Sequence, residues 1–160
     1  MVTQLTKSAQ SVQNALDARN IRCEVKELSA STRTAQDAAA AIGCEVSQIV
    51  KSLIFKTKTT HKPVLILASG TNRVNEKSIE SVINEKITKA DADFTRDVTG
   101  FAIGGIPPVG HKTTIDLIFI DQDLLNFSNV WAAAGTPNAV FNINVTDLVE
   151  MTGGKVIMVT

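Results

Sequence analysis

The sequence predicts a mixed α/β fold in one domain over residues 1–160, with a curved, barrel-like mixed sheet surrounded by short helices. Three observations carry this. The 160 residues are 44% hydrophobic and 20% charged, which suits one packed core at the size of one average domain. Helix and strand signals mix over the whole length, with no internal repeat, low-complexity tract or Pro/Ser-rich linker between them. Strand signals follow one another directly more often than across a helical crossover, which favours a mixed or curled sheet over a doubly wound parallel one.

Leu5, Ala9, Val12 and Leu16 share one helical face, so a first helix covers residues 5–19 and ends at Asn20, a residue that tolerates left-handed backbone. Ile21, Cys23 and Val25 alternate with Arg22, Glu24 and Lys26, the period of a half-buried strand. Thr34 with Asp37 resembles a capping box for the alanine-rich helix 35–42, which stops at Gly43. The apolar runs 52–57 and 63–69, joined by the polar Lys58-Thr59-Thr60-His61-Lys62, read as a β-hairpin with an exposed tip. Asn75 caps a helix carrying Ile79, Val82 and Ile83, and Asp93 caps another that stops at Gly100. After the glycine-rich segment 104–110 come a strand near 115–120, a turn of helix from Asp121, strands near 130–133 and 139–145, a helix capped by Thr146, and a last strand at 155–159. The expectation is about seven strands and five or six short helices.

Composition removes several classes of function. The longest apolar runs fall far short of the ~20 residues that span a bilayer, and no apolar stretch near the amino terminus makes an export signal, so a cytoplasmic protein without a membrane partner is expected. Two cysteines, Cys23 and Cys44, and two histidines, His61 and His111, do not make the usual four-ligand zinc site, and both thiols read as small core or half-exposed residues. Basic and acidic residues number 16 each, although residues 1–80 hold 11 basic against 7 acidic and residues 81–160 hold 5 against 9. Zero net charge argues against extensive tracking of phosphates and for a small contact at the end of an RNA, if RNA is touched; no DNA partner is expected.

Several places could carry chemistry. Residues 105–113 nearly spell a P-loop, but His111 precedes the lysine, and Pro107 and Pro108 lack the N–H groups such a loop aims at phosphate. Gly100, Gly104, Gly105 and Gly110 with the two prolines make 101–111 either a pre-shaped backbone cradle or a simple connector. Lys51 lies at the head of a strand apolar on both faces, where an ammonium must pair, snorkel to the rim or face a polar cleft. The small-residue turn at 133–138 offers the N–H of Gly135 and the hydroxyl of Thr136, while Arg33, beside the Thr34 cap, could reach an anion. No G-x-S-x-G elbow or cysteine–histidine pairing supports covalent catalysis.

Five segments in order, Thr32-Arg-Thr-Ala35, Gln48-Ile-Val-Lys51-Ser-Leu53, Ser69-Gly70-x-Asn72-Arg73-Val74, Thr99-Gly-Phe-Ala-Ile-Gly-Gly-Ile-Pro-Pro-Val-Gly-His111 and Ala133-Ala-Gly-Thr-Pro137, resemble the YbaK-like aminoacyl-tRNA deacylases. This family includes deacylases of Cys-tRNA(Pro) and Ala-tRNA(Pro) and the editing domain of bacterial prolyl-tRNA synthetases. The resemblance implies a cleft for the 3′ acceptor end of a charged tRNA, and points to prolyl-tRNA synthetase as a further partner. It maps the family's required lysine onto Lys51 and its glycine-rich loop onto Gly104–Gly110; some relatives carry histidine where Asn138 stands. Lys51 and Gly105 are the candidate catalytic groups, and Thr34, Gly104, Ile106, Pro108, Gly110, His111, Gly135 and Thr136 the candidate substrate-binding residues.

An aminoacyl ester is already activated, so a placed water, preorganised N–H groups and a lysine can hydrolyse it without a protein nucleophile, metal or cofactor. The leading expectation is a trans-acting deacylase; a non-catalytic module binding the tRNA end or a synthetase, and a small-molecule esterase, remain alternatives. Phe55, Ile103 and Ile106 beside the candidate site predict a small, mostly apolar sieve.

Overall fold

Five helices each begin at a side chain that accepts a backbone N–H, which satisfies donors the first turn leaves free. In the computed structural model, which describes residues 4–160, these are Thr6 before α1 (Lys7–Ala18), Thr34 before α2 (Ala35–Ile42), Asn75 before α3 (Glu76–Ile83), Asp91 before α4 (Ala92–Thr99) and Asn144 before α5 (Val145–Thr152). Four of them close on a left-handed residue: Gly43, Asn84, Gly100 and Gly153. Two expected caps therefore move upstream, from Asp93 to Asp91 and from Thr146 to Asn144. Asp93 falls in the first turn of its helix, where a carboxylate still favours the helix dipole.

The strands are β1 (Lys26–Glu27), β2 (Ile49–Thr57), β3 (Pro63–Ser69), β4 (Ile87–Lys89), β5 (Leu117–Asp121), β6 (Asn129–Ala133), β7 (Ala139–Asn144) and β8 (Lys155–Ile157). They form one mixed sheet in the order β1-β7-β6-β2-β3-β5-β8, with β4 added against β2. The pairs β2–β3, β6–β7, β1–β7 and β2–β4 are antiparallel, and β2–β6, β3–β5 and β5–β8 are parallel. This is the mixed sheet the sequence predicts.

Of the expected strand over 21–26, only Lys26 is in the sheet. Pairing begins only at Lys26, opposite Val140, because a helix side chain serves the segment instead. Gln13 of α1 donates from Nε2 to the carbonyl of Cys23 at 2.9 Å and accepts the N–H of Val25 at 2.8 Å. The short β4 and a 3₁₀ turn at Val46–Gln48 have no counterpart in the sequence expectation, since three residues carry too little pattern to read.

β3 lies between two apolar clusters, and Val64 to Ala68 are wholly buried. Leu65 and Leu67 face a large core with Val12, Leu16, Phe141 and Leu148, while Val64, Ile66 and Ala68 face a smaller one with Phe55, Ile79, Ile87 and Phe119. Each valine, leucine, isoleucine or phenylalanine among them contributes about 1.5–3 kcal/mol on burial. β2 follows the same alternation, with Val50 and Ile54 on the large-core side and Phe55 on the other.

The sheet forks at β2. On the edge away from β3, Ile49 and Val50 pair with Trp131 and Ala132 of β6, whereas Phe55, Lys56 and Thr57 pair with β4. Residues 51–53 have no strand partner on that edge, and the N–H of Ala90 closes on the carbonyl of Ile54 at 3.1 Å. The opening in the sheet is where the main cavity lies.

Candidate functional site

A cavity of about 580 Å³ is walled by β2 from Ile49 to Ile54, by Lys89 and Ala90 after the fork, by Trp131 to Ala133 of β6, by Thr32 to Ala35, and by Ile103, Gly104 and Ile106. A second cavity of about 510 Å³ is lined by Lys51, Leu53, Phe55, Lys89 and residues Arg73 to Lys77. Lys51, Leu53 and Lys89 line both, so the Lys51 side chain stands where the two meet.

Lys51 is half-buried, and its Nζ donates to the main-chain carbonyl of Asn72. Burial pulls its ammonium below the usual lysine range; Asp121 pulls the other way, and Arg73 adds to the lowering. Asn72 is held in turn by two carboxylates. Its Nδ2 donates to Oδ2 of Asp121 at 2.8 Å and to Oδ2 of Asp123 at 2.7 Å. The Asp121 carboxylate also accepts the N–H of Ser69 at 2.9 Å and that of Asp123 at 3.0 Å. The lysine thus has a fixed carbonyl partner at the end of a network that reaches across the sheet to β5.

Of the residues expected at the site, the structure brings Thr34, Lys51, Gly104 and Ile106 around the main cavity. Thr34 also caps α2, accepting the N–H of Asp37 at 3.0 Å. Gly104 has φ +100°, and a Cβ there would press on Cγ of Arg33 at 3.2 Å, so glycine leaves room for the arginine beside the cavity. The other six lie outside either cavity wall.

Gly105 packs behind that wall. Its N–H points to the carbonyl of Ala102 at 3.2 Å, its carbonyl accepts the N–H of Gly135 at 2.8 Å, and a Cβ would stand 2.9 Å from three backbone atoms of Thr136. The N–H that the sequence reading offers to substrate is engaged within the loop. Gly135 and Thr136 form the other half of this close backbone contact, with Gly135 also tight against the Ser8 carbonyl. Gly110 abuts Cβ of Ala15 on α1, and Pro108 is buried in the same loop. Nε2 of His111 bonds to the carbonyl of Pro107 at 2.7 Å; burial lowers its pKa, the Pro107 carbonyl raises it, and Arg19 lowers it further. Asn138 pins the carbonyl of Ala30 through Nδ2 at 3.2 Å.

Sequence reading missed Thr32, Ser52, Lys89 and Trp131 in the main cavity, and Lys77 in the second. Ser52 left a trace, a hydroxyl in an apolar strand, and Thr32 opens the segment Thr32-Arg-Thr-Ala35, two residues before Thr34; Lys89 and Trp131 reach the site through strand pairing with β2 and Lys77 from α3, and these three left none. Neither Cys23 nor Cys44 lines a cavity, and burial raises the pKa of both thiols. Among the described residues there is no cluster of three metal-ligating side chains, and no helix is long and apolar enough to cross a membrane.

Comparison with known proteins adds what geometry alone does not name. A family model described as the aminoacyl-tRNA editing domain matches residues 29–151, a span that includes both cavities. An uncharacterized protein of Bacillus subtilis strain 168, YwhH, is 28% identical over 149 residues, which is 93% of this chain and 94% of that one. A proline–tRNA ligase of Limosilactobacillus fermentum is 31% identical over 126 residues, covering 73% of this chain but only 22% of the ligase. A crystal structure described as a candidate trans-editing enzyme for prolyl-tRNA synthetase superposes with TM-score 0.92 at 43% identity, covering 98% of this chain and 99% of the other. With matching fold, matching span and the Lys51 cleft inside it, the chain belongs to the aminoacyl-tRNA editing domain family.

Proposed function

We propose that this protein is a trans-acting deacylase that hydrolyses the ester joining a small, wrongly attached amino acid to the 3′ end of tRNA(Pro), alanine and cysteine being the acyl groups the family resemblance favours. The position of Lys51 at the junction of two unlike cavities carries this reading. The second cavity, with the cations Arg73, Lys77 and Lys89 against the single carboxylate Glu76 in its lining, suits phosphates of the acceptor end. The main cavity, bordered by Ala132, Ala133, Ile54 and Ile106, suits a small aminoacyl group. An ester spanning the two lies beside the ammonium.

Water adds to the ester carbonyl carbon, the bond to the ribose oxygen breaks, and that oxygen leaves with a proton, giving the free amino acid and the deacylated tRNA. The Lys51 ammonium stabilises the negative charge that develops on the carbonyl oxygen, and the Asn72 carbonyl keeps the ammonium in place. Such a second site is needed because a synthetase pocket separates small side chains by only about 1–3 kcal/mol per methylene.

The test is hydrolysis of Ala-, Cys-, Ser- and Pro-tRNA(Pro) side by side at equal enzyme. Hydrolysis of small acyl groups with sparing of Pro-tRNA(Pro) is expected. Comparable hydrolysis of Pro-tRNA(Pro) would overturn the sieve, and no hydrolysis of any would favour a module that binds the tRNA end or the synthetase.

A further inference from the structure

Two side-chain hydroxyls in the wall of the main cavity have no hydrogen-bond partner within the protein. Oγ1 of Thr32 and Oγ of Ser52 are both buried and both lack a hydrogen-bond partner, the only buried side-chain polar atoms among the described residues in that state. Thr32 is 6% exposed. Buried polar groups are ordinarily paired, and an unpaired one disfavours the folded state unless another state supplies its partner. That both belong to one cavity lining points to a ligand as that partner.

The chemistry of the ligand atom follows from its surroundings. Ser52 sits in the part of β2 that has no strand neighbour on one edge, and Val50 and Ile54, on the same face of the strand, pack into the large core. It is a polar spot on an otherwise apolar stretch of wall. The charged residues around the cavity are Arg33, Lys51 and Lys89, and no aspartate or glutamate stands among them. A cationic acyl side chain brought to the two hydroxyls would find no carboxylate in the cavity lining to pair with. A neutral group that both donates and accepts, above all an aliphatic hydroxyl, is matched by two serine/threonine-type hydroxyls.

We propose that Thr32 and Ser52 are specificity-determining residues that hydrogen-bond a hydroxyl on the acyl side chain, so that the pocket selects a small hydroxyl-bearing aminoacyl ester, serine first, over its alanine counterpart. This rests on the deacylase reading and, within it, puts serine ahead of the alanine and cysteine that the family resemblance favours. The acyl side chain enters the main cavity at the fork of the sheet, while the ester stays beside Lys51. A site built to bond a hydroxyl discriminates strongly against the analogue that lacks it, because its own polar groups are then left unpaired.

The experiment compares kcat/KM on Ser- and Ala-tRNA(Pro) for wild type, Ser52→Ala and Thr32→Val. Wild type is expected to prefer serine, and each variant to lower the serine-to-alanine ratio by about tenfold or more. Thermal melting is the control for folding. Because each hydroxyl is unpartnered in the free protein, its removal should leave Tm unchanged or raise it, and a fall in Tm would show a bonded, structural hydroxyl and overturn the proposal. An unchanged serine-to-alanine ratio in both variants would also overturn it. Should wild type hydrolyse no tRNA, the deacylase reading fails while the inference stays testable. Binding of the stable amides 3′-seryl- and 3′-alanyl-amino-3′-deoxyadenosine is then measured by calorimetry. Tighter binding of the seryl amide, lost in Ser52→Ala, supports the two hydroxyls as the recognition pair; equal binding of the two amides by wild type overturns it.

Discussion

Asn72 gives its side-chain amide to the buried carboxylate of Asp121, 2.8 Å away, and its main-chain carbonyl to the ammonium of Lys51. One residue thereby ties the candidate catalytic lysine to a carboxylate at the end of β5, and Asp121 acts on Lys51 both through this residue and through its charge.

Asp121→Asn tests that link. The wild-type carboxylate accepts three donors, from Ser69, Asn72 and Asp123, and an amide in either orientation turns its NH₂ on at least one of them. A loss of about 1–3 kcal/mol in unfolding free energy is expected, read from urea midpoints. Removing the charge also takes away the influence that raises the Lys51 pKa, so the alkaline limb of kcat/KM should move to lower pH. A limb that stays in place would detach Asp121 from the lysine.

Lys51→Ala should lower deacylation by about 10²-fold or more, the scale of one lost oxyanion-stabilising group. Melting should stay close to wild type, because the substitution removes a partly desolvated charge and leaves only the Asn72 carbonyl, on a half-exposed residue, without its partner. Retained turnover in single-turnover assays would take Lys51 out of the chemistry.

Gly105→Ala or Gly105→Val is expected to act first on folding. The new Cβ would lie 2.9 Å from the backbone of Thr136, and the turn must move, at a cost of about 1–3 kcal/mol. The same turn also holds Thr32 through the Pro137 carbonyl, so activity should fall with stability. Lost activity with an unchanged Tm would return Gly105 to direct contact with substrate.

His111 makes stability depend on pH. Its folded pKa lies below the ordinary value of 6.5, so the unfolded chain binds the proton more readily. The contribution is complete above that ordinary value and is lost as pH falls through the lowered folded value. In urea titrations at several pH values, the gap between wild type and His111→Gln should therefore narrow toward acid; a gap independent of pH would mean that the imidazole has the same pKa in the folded and the unfolded chain.

Helix limits at Thr34, Asn75, Gly43 and Gly100 could be read from the chain alone, because a cap and the groups it satisfies lie within three or four residues of each other. Where two neighbouring residues could both cap, as with Asp91 and Asp93, local chemistry does not choose between them. Lys51 was legible for a different reason: an ammonium in an apolar strand conflicts with its surroundings, and such conflicts mark sites. The glycine-rich loop was legible as a constrained backbone, but not in its direction, since whether Gly105 faces substrate or Thr136 depends on a segment beyond β5 and β6 in the chain. Asn72 and Asp121 are 49 residues apart, and nothing near either one specifies the other. The cavity itself exists because β2 exchanges β6 for β4 along one edge, and Ser52, Lys89 and Trp131 meet there through strand register. Register is settled by which apolar faces of distant strands can be buried together, a free energy shared across the whole sheet that no short stretch of sequence contains.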